Sequence, residues 1–145
     1  MKGEATMARR QNSVPEVKSF LDNLHKIMLN PKLIQINDLV WDNKINKTRQ
    51  FMAEKGIKKT DVLDIVKELR VCNYSYTDDD VNPNYKNEEV WIFGIIRYIV
   101  DTKYDLYIKL KTRKVNELEV GIVMSFHPEQ PAKEEDKLIF PYIDL

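Results

Sequence analysis

The stretch Val90-Trp-Ile-Phe-Gly-Ile-Ile-Arg-Tyr-Ile-Val100, followed by Tyr104–Val115 and Glu119–His127, decides the fold. Val90–Val100 is almost wholly β-branched, aromatic or aliphatic, the composition of a buried strand. Asp101-Thr-Lys103 and Asn116-Glu117 supply turn residues, and Tyr104–Val115 alternates between them. Strands joined by such short turns pair as an antiparallel meander. Upstream the period changes from two to 3.6. Ser13-Val14-Pro15-Glu16 reads as a capping box, and Val14, Val17, Phe20, Leu21, Leu24, Ile27 and Met28 follow at helical spacing as far as Asn30-Pro31. A second helix is expected from about Lys44 to Lys55, closed by Gly56 as a left-handed cap. A third, capped by Thr60, carries the stripe Val62, Leu63, Ile65, Val66 and Leu69, with Asp61 and Asp64 toward its N-terminus. Leu33–Trp41 reads equally as a short strand or an irregular cover. The expected class is α+β: an antiparallel sheet of at least three strands with N-terminal helices packed on one face. Residues 1–145 form one domain in this reading, with residues 1–12 disordered.

Composition bounds the function. A chain of 145 residues, 43% hydrophobic, builds one core. Cys72 is the single cysteine, which excludes an internal disulfide and a thiolate zinc site within one chain. No apolar run reaches the roughly 18 residues of a membrane span. The opening MKGEATMARR lacks the apolar stretch of a secretion signal, and Met7 offers a second start. A cytoplasmic protein without a membrane partner is the expectation. Formal net charge is zero, so any polyanion must be met by a local patch. Residues 1–76 carry 14 basic and 9 acidic side chains, and the remainder carries 9 and 14.

Leu106-Tyr-Ile-Lys-Leu-Lys-Thr-Arg-Lys114 is the most informative segment. Leu106, Ile108 and Leu110 point to one face, and Tyr107, Lys109, Lys111 and Arg113 to the other, about 6.6–6.8 Å apart. That spacing resembles the distance between neighbouring phosphates, so the row suits a polyanion. A solvated sheet face explains the same pattern. In Gly121-Ile-Val-Met-Ser-Phe-His127, Ser125 and His127 share one face and Met124 and Phe126 the other. If Phe126 is core, His127 emerges on the exposed side, where it either meets Tyr107 and Lys109 or stands alone, according to register. An imidazole titrates near pH 6.5 and can serve as acid or base. Attack by an RNA 2′-hydroxyl needs a base, an acid and cations for the phosphorane oxygens, and these three side chains supply them without a metal.

Other constellations carry less. Asp78, Asp80, Asn82 and Glu89 fall at EF-hand positions, but Pro83 stands where the loop needs glycine, and a strand follows Glu89. His25 and His127 are the only imidazoles; His25 flanks the first helix's apolar stripe and is expected on the surface. Trp91, Phe93, Tyr98 and Phe126 are either core or a stacking platform for single-stranded RNA. Cys72 has no evident basic activator besides Arg70. No phosphate loop or nucleophile elbow is present.

Val90-Trp-Ile-Phe-Gly94, Leu106-Tyr-Ile-Lys-Leu-Lys111, Ile122-Val-Met-Ser-Phe-His127 and Phe140-Pro-Tyr142, in this order, resemble the MqsR family of type II toxins. That resemblance implies a RelE-like α+β endoribonuclease (an mRNA interferase) that acts on single-stranded mRNA without a cofactor. It also implies neutralisation by a zinc-containing helix-turn-helix antitoxin. Carried over by position, Tyr107 matches the catalytic tyrosine and Lys109 the basic residue two places on. His127 falls where members hold lysine or histidine. Lys111 and Arg113 of the basic row are expected to bind RNA phosphate, and Tyr76 or Tyr74 either contributes a hydroxyl or a stacking face to the RNA or lies in the core. Ile92 stands where the best-studied form has a functional glutamine, and Asn73-Tyr-Ser-Tyr76 where it has a lysine. Residues 30–43 and 128–136 read as insertions. The competing expectation is a non-catalytic module that holds RNA or an acidic protein on the same fold.

Overall fold

In the computed structural model, residues 9–37, 46–85, 87–129 and 137–138 are described. The elements run α1 (Val14–Ile27), β1 (Ile34–Ile36), α2 (Lys47–Lys55), α3 (Lys59–Val66), β2 (Tyr74–Asp79), β3 (Glu89–Ile99), β4 (Thr102–Val115) and β5 (Leu118–Pro128), with three short 3₁₀ turns between them. The class is α+β. The sheet order is β1-β5-β4-β3-β2, with β1 parallel to β5 and every other pair antiparallel. The expected meander is the β3-β4-β5 centre. Asn116 and Glu117 both hold positive φ, 51° and 70°, as a two-residue turn of matching twist requires. Val100, also at positive φ, takes the same strained region at the other hairpin.

Two additions complete the sheet. Ile34–Ile36 resolves the ambiguous segment as a short parallel edge strand; residues 38–41 of that segment lie outside the described residues. Tyr74–Asp79, which is not among the strands expected from sequence, pairs with β3 as the opposite edge. Beyond it, residues 9–12 are ordered rather than disordered. Arg10 exchanges backbone hydrogen bonds with Thr77 (2.9 and 2.8 Å), and the Gln11 amide donates to the Ser75 carbonyl.

All three helices pack on one face. The Ser13–Glu16 capping box starts α1, which buries Val17, Leu21, Leu24 and Ile27. Asn46 caps α2, and Gly56 closes it at φ 67° as expected. Residues 44–45 lie outside the described residues. Thr60 is not the cap of α3 but sits inside it: Asp61 reaches back to the Lys58 N–H (2.8 Å), so the helix begins two residues earlier than the threonine suggests. His25 is half-buried rather than on the surface, since its Nε2–H donates to the Val66 carbonyl (3.0 Å) at the end of α3. Below the helices lie Phe93, Ile95, Leu106, Ile108, Leu110, Val123 and Phe126, with Phe20 stacked on Trp91 at 4.5 Å. Burying these side chains contributes about 1.5–3 kcal/mol each.

The other face carries a smaller cluster of Tyr76, Val90, Ile92 and Leu138, with Tyr107 against it. Gly121 sets how closely α1 and β1 approach β5: a Cβ there would lie 2.7 Å from Ile34 Cδ1 and 2.8 Å from Leu24 Cδ1. Both neighbours are buried and have little room to retreat. Gly121→Ala should therefore cost about 1–3 kcal/mol, read as a lower urea midpoint with unchanged slope.

Candidate active site

The site is built where β4 and β5 meet on the face away from the helices. Lys109 pairs with Ile92 and Ser125, and Tyr107 with Gly94 and His127. Between Ser125 and Val123 the register slips, leaving Met124 as the extra residue of a bulge. Phe126 then enters the core with Val123, while Ser125 and His127 turn to the Lys109 face. Met124 does not share Phe126's side, as alternation alone implies. It lines a cavity of about 1040 Å³ with Ile122 and Lys111. The imidazole of His127 lies parallel to the Tyr107 ring, centroids 5.3 Å apart at 18°.

β1 ends opposite Val123, so the outer edge of β5 beyond it needs another partner. Thr48 of α2, buried, provides it: its Oγ1 accepts the Phe126 N–H at 2.9 Å. The residue beside His127 is thereby tied to α2. His127 Nδ1 lies 2.9 Å from the Pro128 carbonyl. A carbonyl only accepts, so Nδ1 carries the proton and Nε2 keeps the lone pair of the neutral ring.

Burial governs the titration of all three groups. It lowers the His127 pKa, and the charges of Lys47 and Lys109 lower it further against the Pro128 contact. The ring is neutral at pH 7. Because folding depresses this pKa, its contribution to stability is complete above the unfolded value near 6.5 and is lost as pH falls through the folded one. Burial and then the neighbouring Tyr76 raise the Tyr107 pKa, so its hydroxyl stays protonated. Burial lowers the Lys109 pKa, opposed by Asp78 and Asp80. Among the described residues Lys109 forms no salt bridge or side-chain hydrogen bond, although it is largely buried.

Its neighbours on the strand differ. Lys111 is 1% exposed and its Nζ holds Asp80 and Glu88, each at 2.6 Å. Arg113 holds Glu88 at 2.9 Å, and the Tyr85 ring lies 4.5 Å from the Lys111 ammonium and 3.9 Å from the Arg113 guanidinium. The expectation that Lys111 and Arg113 face solvent as phosphate ligands is corrected: both charges pin the 80–88 loop to the sheet. Tyr76 is likewise 1% exposed, with Arg9 seated 3.9 Å above its ring, so no base can stack there. Trp91, Phe93 and Phe126 are core, and Tyr98 alone of the four aromatic candidates is exposed. The sequence reading missed Arg9, bidentate to Asp78 at 3.0 and 2.8 Å, and Thr48. Neither carries a local pattern that marks it. Phe140-Pro-Tyr142 and residues 130–136 lie outside the described residues.

Lys111→Met should leave Asp80 and Glu88 uncompensated and cost about 3 kcal/mol or more, measured by urea unfolding. It should lose stability rather than nucleic-acid affinity.

The geometry meets its parallel in one comparison. Neither a curated protein nor a solved structure matches the chain. The family described as motility quorum-sensing regulator, toxin of MqsA, matches residues 30–128, which include every element from β1 to β5. The chain belongs to that toxin family, one half of a toxin–antitoxin pair.

Proposed function

We propose that the chain is a metal-independent endoribonuclease that cleaves single-stranded mRNA by attack of a 2′-hydroxyl on the adjacent phosphate. The observation that carries this reading is Lys109, a largely buried ammonium without a salt bridge among the described residues, beside the stacked Tyr107 and His127. A desolvated cation left without a counter-charge beside a neutral imidazole marks a site that expects an anion.

In the proposed step, Nε2 of His127 takes the 2′-hydroxyl proton as the 2′-oxygen bonds to phosphorus. The Lys109 ammonium faces the phosphorane oxygens, where low local dielectric strengthens its pull. Tyr107 keeps its proton and donates a hydrogen bond to one of them. The bond to the 5′-oxygen breaks, and that oxygen takes a proton from the Lys109 side, whose lowered pKa makes it the more willing donor. The product is a 2′,3′-cyclic phosphate. The partner expected from the resemblance is a zinc-containing helix-turn-helix antitoxin, and an mRNA substrate places the protein in the cytoplasm.

A non-catalytic binding module is the second reading, favoured by Ile92, which is fully buried where a functional glutamine is expected. Cleavage of a long mRNA in EDTA separates the two. Lys109→Ala and His127→Ala should each reduce cleavage at least tenfold, and Tyr107→Phe should reduce it about tenfold, with circular dichroism unchanged. Wild-type rates in all three variants would end the nuclease reading. With His127 as base, kcat/KM should hold as pH drops past the ordinary imidazole value and fall only through the depressed pKa below it. His127→Ala should flatten that acid limb.

A further inference from the structure

Beside the Tyr107 stack, His127 also lines a second space. A cleft of about 310 Å³ lies between α2 and the end of β5, bounded by Lys47, Gln50, Glu54, Lys55, Tyr104 and His127. The α2 members are spaced as one helical face, and the edge-on pair Phe51–Tyr104 (5.2 Å) supports them. Lys47 stands at the first position of α2 and Arg49 at the third, and no acidic residue occupies that turn. Cations there oppose the helix dipole and weaken the helix locally. Lys47 is exposed and forms no salt bridge among the described residues, and its charge reaches His127. Lys55 lies over the Tyr104 ring at 5.9 Å. Among the described residues Glu54 is the one carboxylate lining the cleft, and the Gln50 amide donates to it at 3.2 Å. A placement that costs helix stability and crowds a half-buried imidazole with positive charge is what a bound anion would relieve.

We infer that this cleft holds a backbone phosphate of the bound RNA, next to the phosphate that Lys109 faces, with Lys47 and Lys55 as its cations. The inference rests on the nuclease reading for its choice of RNA as ligand. It sets the path of the strand: from the Lys109 face, past the His127 ring, onto α2. Since Lys111 and Arg113 are committed to carboxylates, the strand leaves β4 here rather than following it.

The test is fluorescence anisotropy on a single-stranded oligoribonucleotide methylated at every 2′-oxygen, which binds without being cut, titrated over a range of salt. Lys47→Ala should weaken binding several-fold and reduce the slope of log K against log salt by about 0.7, the share of one phosphate contact on a single strand. Lys47→Ala/Lys55→Ala should weaken binding further while the slope loss stays at about 0.7, because both lysines face one phosphate. Glu54→Gln should tighten binding. Lys18→Ala, on the outer side of α1 and paired with Asp22, should change nothing. The melting temperature of Lys47→Ala should not fall, because the replaced cation opposed the dipole. Wild-type slope and affinity in both lysine variants, or no binding by the wild-type protein, would overturn the inference. Cleavage of the unmodified RNA is scored separately. Cleavage with a Lys47-independent slope removes the cleft alone, while a Lys47-dependent slope without cleavage keeps the cleft and removes the nuclease reading.

Discussion

Two extra residues, Ser75 in β2 and Met124 in β5, decide which side chains share the Lys109 face. A strand's side chains alternate, so one inserted residue exchanges the faces of everything beyond it. Without the bulge at Met124, a β5 that buries Val123 would send Ser125 and His127 toward the helices and Phe126 into solvent. Without the slip at Ser75, a β2 that buries Tyr74 would turn Tyr76 and Asp78 inward. Both bulges act in the same sense. They let each strand keep an aromatic in the core and still deliver polar groups to the opposite side: His127 from β5, Tyr76 and Asp78 from β2.

Electrostatics then sorts the delivered groups. β4 presents three cations in a row, yet among the described residues Lys109 alone of the three has no salt-bridge partner. Asp80 and Glu88 reach Lys111, and Glu88 also reaches Arg113, whose hydrogen bond holds the Glu88 carboxyl below its ordinary pKa. Asp78 reaches Arg9 instead of Lys109, so its charge acts on Lys109 from a distance without quenching it. The N-terminal strap is therefore part of the site's charge balance: by occupying Asp78, Arg9 leaves Lys109 available.

Much of this architecture was legible in the sequence, and the illegible parts have physical reasons. Long strands with strict alternation, β3 and β4, declare themselves, as does the capping box of α1. Tyr74–Asp79 does not, because the bulge breaks its period of two and its end is acidic. Ile34–Ile36 is too short to show any period. That Ser125 and His127 share a face followed from local spacing, and that they share it with Lys109 did not, since register depends on a bulge no single strand reveals. The fate of Lys111 and Arg113 was equally hidden. Alternation puts them on the right face but says nothing of a loop, some thirty residues upstream of Lys111 at Asp80, that returns to cover them.

Ile92 tightens the argument about the site's chemistry. It pairs with Lys109 across the ladder, and together with Tyr76, Val90 and Leu138 it makes the floor of this face apolar. An apolar floor offers no hydrogen bond to a base, so a residue there cannot read sequence as a glutamine can. It raises instead the cost of a charged group standing on it, which is why burial is the leading cause of the lowered Lys109 pKa. In the proposed mechanism the substitution therefore exchanges a recognition contact for desolvation: base selectivity must come from groups beside the ladder, while the ammonium over Ile92 becomes a stronger electrostatic partner for whatever phosphate displaces its water.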